Sequence, residues 1–434
     1  MVALITLPFL AVPFFLIFGR SKFEGYNQQR RLMDRKVIKE FSVLGDLKSH
    51  ISPLTEGMDI LNRAIIGSNQ PGFTRDNSIE LLVNADETYA SMLNELRQAS
   101  EYIVFQFYIF RADEIGLVFA EILMEKARMG VSVHFLHDDI GHDTHQWLIE
   151  EMIKSGIKIA PFNSQNLKGR LQLNFRNHRK ILIIDGRVAY VGGLNIGDDY
   201  LGRWNSIGPW RDTHVKLRGP SVLAAQLATA KDWYCSKGES LDVPWKINPS
   251  HGTAQVMILH TGPADDKHAC LLAHMAMINS SHERLWISNP YFVPPESLMD
   301  AILLASLRGV DVRIMIPEFT DSRLVDLASR VYQERLLDHG VKVYRYHQGF
   351  MHQKVMLVDD KFGSVGSVNF DCRSMFINFE ITAISTEKGF IIEMERMLVD
   401  DFASSLIVTE EEFKKTGVME KISSRGANLL APVL

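Results

Sequence analysis

Residues 177–195, NHRKILIIDGRVAYVGGLN, and residues 351–369, MHQKVMLVDDKFGSVGSVN, repeat one pattern of reactive side chains with the same internal spacing. The first copy holds His178, Lys180, Asp185 and Asn195; the second holds His352, Lys354, Asp359 and Asn369 in the same places. On an extended chain the histidine and the lysine two residues on project to one side, and the run ILII after them carries a strand into a core. The aspartate and the residue after it make the turn out. Gly192-Gly193 and Gly366-Ser367 permit tight backbone beside each asparagine. A single copy would be an ordinary buried histidine with a strand-edge lysine. Two in register point to a shared site.

Two lysines and two asparagines converging on one point supply charge and donors for phosphate oxygens. Two histidines supply a nucleophile and a proton carrier near neutral pH. Phosphoryl chemistry asks mainly for positioning and neutralised charge. Here lysine takes the part that a metal plays elsewhere, and its ammonium has no lone pair to give a metal. No metal and no cofactor are expected.

The elements around these motifs also repeat. In each half the pattern reads strand, helix, strand, helix, glycine, strand, helix, glycine, strand, and then the motif. Strands are expected over SIELLVN, Tyr102 to Phe110, VSVHFLHDD and GIKIAPF, and again over QVMILH, ERLWISNPYF, VDVRIMIPE and VKVYRYH. Alternating strands and helices predict layered α/β halves, and the repeat is of whole domains. The polar stretch SKGESLDVPWKINPSHG, residues 236–252, joins them.

A chain of 434 residues accommodates two such cores, and 46% hydrophobic with 23% charged residues is a globular composition. A net charge of −5 counts against a nucleic-acid binder held by phosphate contacts. Cys235, Cys270 and Cys372 are widely spaced and read as free thiols. Residues 1–18 carry no charge, and Arg20, Lys22, Arg30, Arg31, Arg35 and Lys36 follow. About 17 apolar residues suffice to span a bilayer, although Pro8 and Pro13 would kink the helix. The basic flank places the remainder on the cytoplasmic side. The expected organisation is a membrane anchor over 1–19, a juxtamembrane segment over 20–75, and domains over 76–240 and 250–434.

The doubled motif resembles that of the phospholipase D superfamily. LQLNFRNHRKILIIDGRVAYVGGLNIGDDYLGR, PWRDTHVKLRGPSV, NPYFVPPE and FDCRSMFINFEI are similar, in order, to bacterial cardiolipin synthases. The Gly-Gly of the first motif departs from the superfamily's Gly-Ser. The resemblance implies two duplicated α/β/α layered domains with mainly mixed sheets, related by a pseudo-two-fold axis. It implies transfer of a phosphatidyl group between two phosphatidylglycerol molecules, giving cardiolipin and glycerol, at a bacterial inner or plasma membrane. His178 would attack phosphorus and His352 would protonate the leaving glycerol. The symmetry of the motifs does not itself choose between them. Lys180, Asn195, Lys354 and Asn369 would bind the phosphate. Each histidine would take an orienting carboxylate from a neighbouring strand further down the chain, the matches being Asp212 and Glu380. Asp185 and Asp359, counted with the catalytic set, would brace the turn and the lysine. Rival readings are a phospholipase D hydrolase, a phosphatidylserine synthase, a nuclease of the superfamily and a catalytically idle membrane scaffold.

Three further signals are weaker. His137, Asp138, Asp139, His142, Asp143 and His145 could suggest a metal cluster but read as a strand-end loop. His268, His274 and His282 read as surface or satisfied residues. Trp204, Trp210, Tyr291 and Phe292 border the motifs and suit either a lipid-access groove or the core, and SQNLKGRLQLN before the first motif is a candidate rim loop.

Overall fold

The computed structural model describes residues 72–433, apart from 140, 142–143, 163–174, 204–207, 264, 266 and 416, together with Leu47, residues 49–52, Leu61 and Arg63. The expected anchor, most of the juxtamembrane segment, the candidate rim loop, Trp204, His142 and Asp143 lie outside the described residues. Among those described, no helix is long and apolar enough to cross a membrane.

The first half contributes β1 (Thr74–Val83), β2 (Tyr102–Phe107), β3 (Ser132–Asp138), β4 (Lys158–Phe162), β5 (Ile181–Ile184), β6 (Val188–Gly192), the short β7 (Trp210–Arg211) and β8 (Thr213–Arg218). The second contributes β9 (Ala254–Thr261), β10 (Arg284–Ser288), β11 (Phe292–Val293), β12 (Asp311–Pro317), β13 (Lys342–Tyr346), β14 (Phe350–Met351), β15 (Val355–Val358), β16 (Phe362–Gly366), β17 (Phe370–Asp371), β18 (Glu380–Ser385) and β19 (Ser405–Ile407). The expected strands therefore form, shifted by a few residues at their ends. In space the first half runs β4-β3-β2-β5-β6-β8-β1 and the second runs β13-β12-β10-β15-β16-β18-β9, one order read twice. Antiparallel pairing of β1 with β9 fuses them into one 15-stranded mixed sheet, with β19 outside β13. The register slips between Thr74 and Asn77. There the buried Asn77 amide donates to the carbonyls of Thr74 and Ala254 and accepts from Ser221 N at 2.7 Å, so the irregularity leaves no orphaned backbone.

Strands buried on both faces must be apolar on both, and β2 shows why its sequence reads as continuous YIVFQF. Tyr102 and Val104 face one core layer; Ile103, Phe105 and Phe107 face another, under the helices Asn84–Arg97 and Glu114–Arg128. The second half packs the helices Ala269–Asn279 and Glu296–Leu307 on its corresponding face. On the opposite face the helices Pro220–Lys237 and Lys388–Ala403 enclose one apolar cluster that runs across both halves.

Beneath each motif lies a buried polar layer. Arg179, between the motif histidine and lysine, turns away from them. It donates to Asp232 at 2.6 Å, to Glu380 O at 3.0 Å and to Thr261 O at 2.9 Å. Asp232 also accepts from Gln106 and Asn177, each at 2.8 Å. In the second half Gln353 takes the place of Arg179. Arg211 grips Asp401 with two bonds of 2.7 and 2.9 Å, and Gln353 joins them at 3.0 Å. A buried pair stripped of one partner leaves an uncompensated charge, which costs about 3–5 kcal/mol. Asp232→Ala should therefore lower unfolding stability by roughly that amount in denaturant titrations. A loss below about 1 kcal/mol would show that Arg179 does not depend on Asp232.

Candidate active site

Both HxK tripeptides lie just before β5 and β15 rather than within those strands. Each is clamped to the other half. His178 N donates to Phe379 O at 3.0 Å beside the Asn177–Phe379 bridge, and His352 N donates to Arg211 O at 2.8 Å where β14 runs parallel to β7. The residue after Phe379 is Glu380, and the residue after Arg211 is Asp212.

The carboxylates therefore cross over. The expectation that each histidine takes the carboxylate further down its own half is corrected: His178 Nδ1 lies 3.0 Å from Glu380, and His352 Nδ1 lies 2.6 Å from Asp212. The physical reason is the parallel pairing just described, which sets each histidine beside the segment entering the opposite half's last long strand. With Nδ1 so engaged, Nε2 of His178 is left to the cleft. Its side chain retains 13% exposure, while the Glu380 side chain has none.

Glu380 is held by Ser367 Oγ, Ser374 Oγ at 2.9 Å and Asn378 Nδ2 at 3.2 Å, besides the imidazole. Asp212 lacks the hydroxyl that Ser367 gives Glu380. A Cβ on Gly193, which occupies the place of Ser367, would lie 2.1 Å from Asp212 Oδ1. The Gly-Gly of the first motif thus makes room for the carboxylate in this structure.

Lys180 and Lys354 are buried. Lys180 Nζ donates to His178 O at 2.7 Å and stands 5.3 Å from the centre of the Tyr108 ring. Lys354 Nζ lies 3.1 and 3.0 Å from the two ring nitrogens of His352. Burial lowers both ammonium groups: Lys354 falls to about 8, and Lys180 well below its ordinary value. Burial, then the Lys354 charge, pushes His352 down to about 3, and burial also lowers His178. Burial acts the other way on the carboxyls, but His352 and Lys354 keep Asp212 low, and His178 and Lys180 keep Glu380 low. The cleft thus holds two anions, two buried lysines and two neutral imidazoles.

Asn195 and Asn369 differ. The Asn195 amide accepts from Ile109 N at 3.0 Å and donates to Tyr200 OH at 2.6 Å, so it is a structural clamp, which corrects its assignment to phosphate. Asn369 Oδ1, by contrast, is buried with no hydrogen-bond partner among the described residues. The motif aspartates stand at the far ends of β5 and β15, away from the histidines, which corrects their place in the catalytic set. Asp185, at φ +52°, accepts the backbone N–H groups of Ser100, Glu101 and Tyr102; Asp359, at φ +50°, accepts those of His282, Glu283 and Arg284. They brace the turns as expected. They do not brace the motif lysines.

Trp210 packs 4.9 Å from the His352 ring, and Tyr291, whose hydroxyl donates to Asp321 at 2.7 Å, stands 6.4 Å from it. Phe292 stacks on Phe370 in the core. Asp138 accepts from Asn177 N at 2.9 Å and Gly141 N at 3.0 Å, bracing the backbone at the first motif. Among the described residues no group of three His, Cys, Asp or Glu is disposed to hold a metal. His274 is buried and bonds to Cys270 O at 2.8 Å. The sequence reading missed Arg179, Asp232, Arg211 and Asp401. Asp232 and Asp401 sit on equivalent helices, so superposing the two halves of the repeat would have exposed them.

A family profile described as cardiolipin synthase, phospholipase D-like domain, matches residues 92–206 and 275–401. The chain is 38% identical over 440 aligned residues to Cardiolipin synthase A of Pseudomonas aeruginosa, covering 100% of this chain and 89% of that protein. It is 37% identical to the Cardiolipin synthase of Geobacillus kaustophilus, covering 98% of this chain and 86% of the relative. In fold it is similar to the crystal structure of phosphatidylserine synthase from Haemophilus influenzae, with TM-score 0.67 and 16% identity, covering 86% of this chain and 100% of that one.

Two measurements check the geometry. In protein carrying 15N-labelled histidine, Glu380→Gln should shift the His178 ring resonances and Asp212→Asn those of His352; the opposite assignment would overturn the crossover. The fold also keeps His352 and His214 at about 3 and His134 at about 4, mainly through burial, whereas an unfolded histidine titrates near ~6.5. Below ~6.5 the unfolded chain binds more protons, so stability falls as pH is lowered. The melting temperature should decline steadily from about pH 6.5 to 4, and a flat profile would contradict neutral buried rings.

Proposed function

Because this chain belongs to the cardiolipin synthase family of phospholipase D-like proteins, we propose that its crossed histidine–carboxylate pairs carry a phosphatidyl group from one phosphatidylglycerol to another. The protein is a phospholipid phosphatidyltransferase, a cardiolipin synthase. The observation that carries the detailed reading is the meeting of both His–carboxylate pairs and both lysines in one cleft.

The cleft sets two carboxylates among two buried lysines. A phosphodiester brings one further negative charge, which favours uptake of a proton, and His352 beside Asp212 is the group to hold it. His178 Nε2 then attacks phosphorus, the bond to the headgroup glycerol breaks, and His352 gives its proton to the departing oxygen. The phosphatidyl group is held on His178 through a phosphorus–nitrogen bond. His352 next removes the proton from the terminal hydroxyl of a second phosphatidylglycerol, whose oxygen attacks phosphorus and frees His178. The products are cardiolipin and glycerol. Lys180, Lys354 and the Asn369 amide meet the non-bridging oxygens, where charge develops.

The choice of His178 as nucleophile has support beyond the resemblance. Both motif lysines donate to the carbonyl of their own histidine, but Lys354 Nζ also stands against both ring nitrogens of His352. The His178 lone pair is the less encumbered. Residues 76–240 and 250–434 read as an internal duplication, supported by the repeated strand order. Residues 1–19 read as a membrane anchor that keeps the catalytic halves on the cytoplasmic side of a bacterial inner membrane.

Incubating the protein with phosphatidylglycerol alone and identifying products by mass spectrometry tests the reaction. Cardiolipin and glycerol are expected; phosphatidic acid alone would mean that water is the acceptor. His178→Ala and His352→Ala should each lower turnover by about a thousandfold or more, and an active single variant would sink the two-histidine mechanism. Because burial lowers the Lys354 ammonium to about 8, kcat/KM should fall above that pH as the ammonium is lost. A profile level to about pH 10 would remove Lys354 from charge neutralisation.

A further inference from the structure

The C-terminal helix Val418–Asn428 lies along the helix Arg323–Asp338, joined to it by the Arg330–Glu420 ion pair, and buries Ser424 and Ala427. Its other side is apolar and bare: Val418 is 75% exposed, Met419 77%, Ile422 60% and Leu429, just past its end, 82%. At 3.6 residues per turn these four fall within an arc of about 100°. Lys421 and Arg425, both exposed, border that arc on one edge.

The helix is linked to the cleft through the turn that follows it. The turn Ala431–Val433 packs on the helix Cys372–Phe376, whose Ser374 donates to Glu380 behind His178. At the start of the neighbouring helix, Phe319 and Leu324 are exposed at 57% and 39% beside Asp321. Asp321 holds Tyr291, one of the aromatics around His352. Exposed apolar side chains thus stand on structures tied to both histidines.

We propose that the exposed edge of the 418–428 helix, with Leu429, Phe319 and Leu324, docks on an anionic phospholipid bilayer and sets the cleft against the membrane surface. An apolar arc with basic residues at its border suits an interface where acyl chains meet anionic headgroups. A contiguous run of large exposed apolar side chains on one helix edge marks an interaction surface. This reading rests on the phosphatidylglycerol reaction proposed above, whose substrates lie in such a bilayer. It does not involve residues 1–19.

The test uses the full chain with Ile422→Glu and Leu429→Glu combined, both at exposed positions. Cardiolipin formation is measured on phosphatidylglycerol vesicles and on short-chain phosphatidylglycerol below its micelle concentration. The variant should lose about tenfold on vesicles and keep its rate on the monomeric substrate, with its melting temperature intact. Equal loss on both substrates, or no loss on vesicles, overturns the proposal. So does a changed oligomeric state by light scattering with the vesicle rate preserved, which would make the edge an interface between copies. Failure of the unaltered protein to form cardiolipin from the monomeric substrate would instead overturn the reaction on which the surface depends.

Discussion

Each motif imidazole is paired with a carboxylate from the opposite half, and the rest of the structure serves that exchange. A buried ring needs an acceptor at Nδ1 to fix its tautomer. A buried carboxylate needs several donors to remain ionised. The protein meets both needs by running each HxK segment alongside the chain that enters the other half's β8 or β18. Neither half holds a complete histidine–carboxylate pair. Joining β1 to β9 in one sheet therefore holds the two halves of each pair together, although that seam lies away from both histidines.

Burial is the second constraint, and it sets the protonation of every group in the cleft. Desolvation lowers the histidines and lysines and raises the carboxyls. Mutual attraction among these groups keeps the carboxylates charged. The polar layer beneath, with Arg179 on Asp232 and Arg211 on Asp401, spends charge on position rather than on chemistry. Arg179 also bonds the carbonyl of Glu380 itself. The residue between the motif histidine and lysine thereby anchors the other half's carboxylate.

Much of this was legible in the chain. The β-periodic runs, the glycine-marked turns and the doubled motif give the strand sequence and the candidate residues, because local hydrophobic pattern and spacing determine them. The partnership of His178 with Glu380 and of His352 with Asp212 was not legible. It depends on which segments run side by side in three dimensions, and proximity along the chain favours the wrong partner. The divergence of Asn195 from Asn369 was hidden for a similar reason. Only the packed structure shows that the first amide donates to Tyr200 and accepts from Ile109 N, while the oxygen of the second has no partner among the described residues. Asp185 and Asp359 misled by their place in the motif: both are turn residues in left-handed backbone that cap the start of the neighbouring strand.

The contrast between Gly193 beside Asp212 and Ser367 beside Glu380 has an ancestral consequence. A single half able to pair with a copy of itself about a two-fold axis would assemble two crossed pairs at once, but the two would be bound to be the same. Any substitution that tuned one imidazole would tune the other. Once both halves share one chain, that tie is broken, and each pair is able to change by itself. A compact carboxylate behind one ring and a hydroxyl-supported longer one behind the other are differences that only a fused chain is free to accumulate.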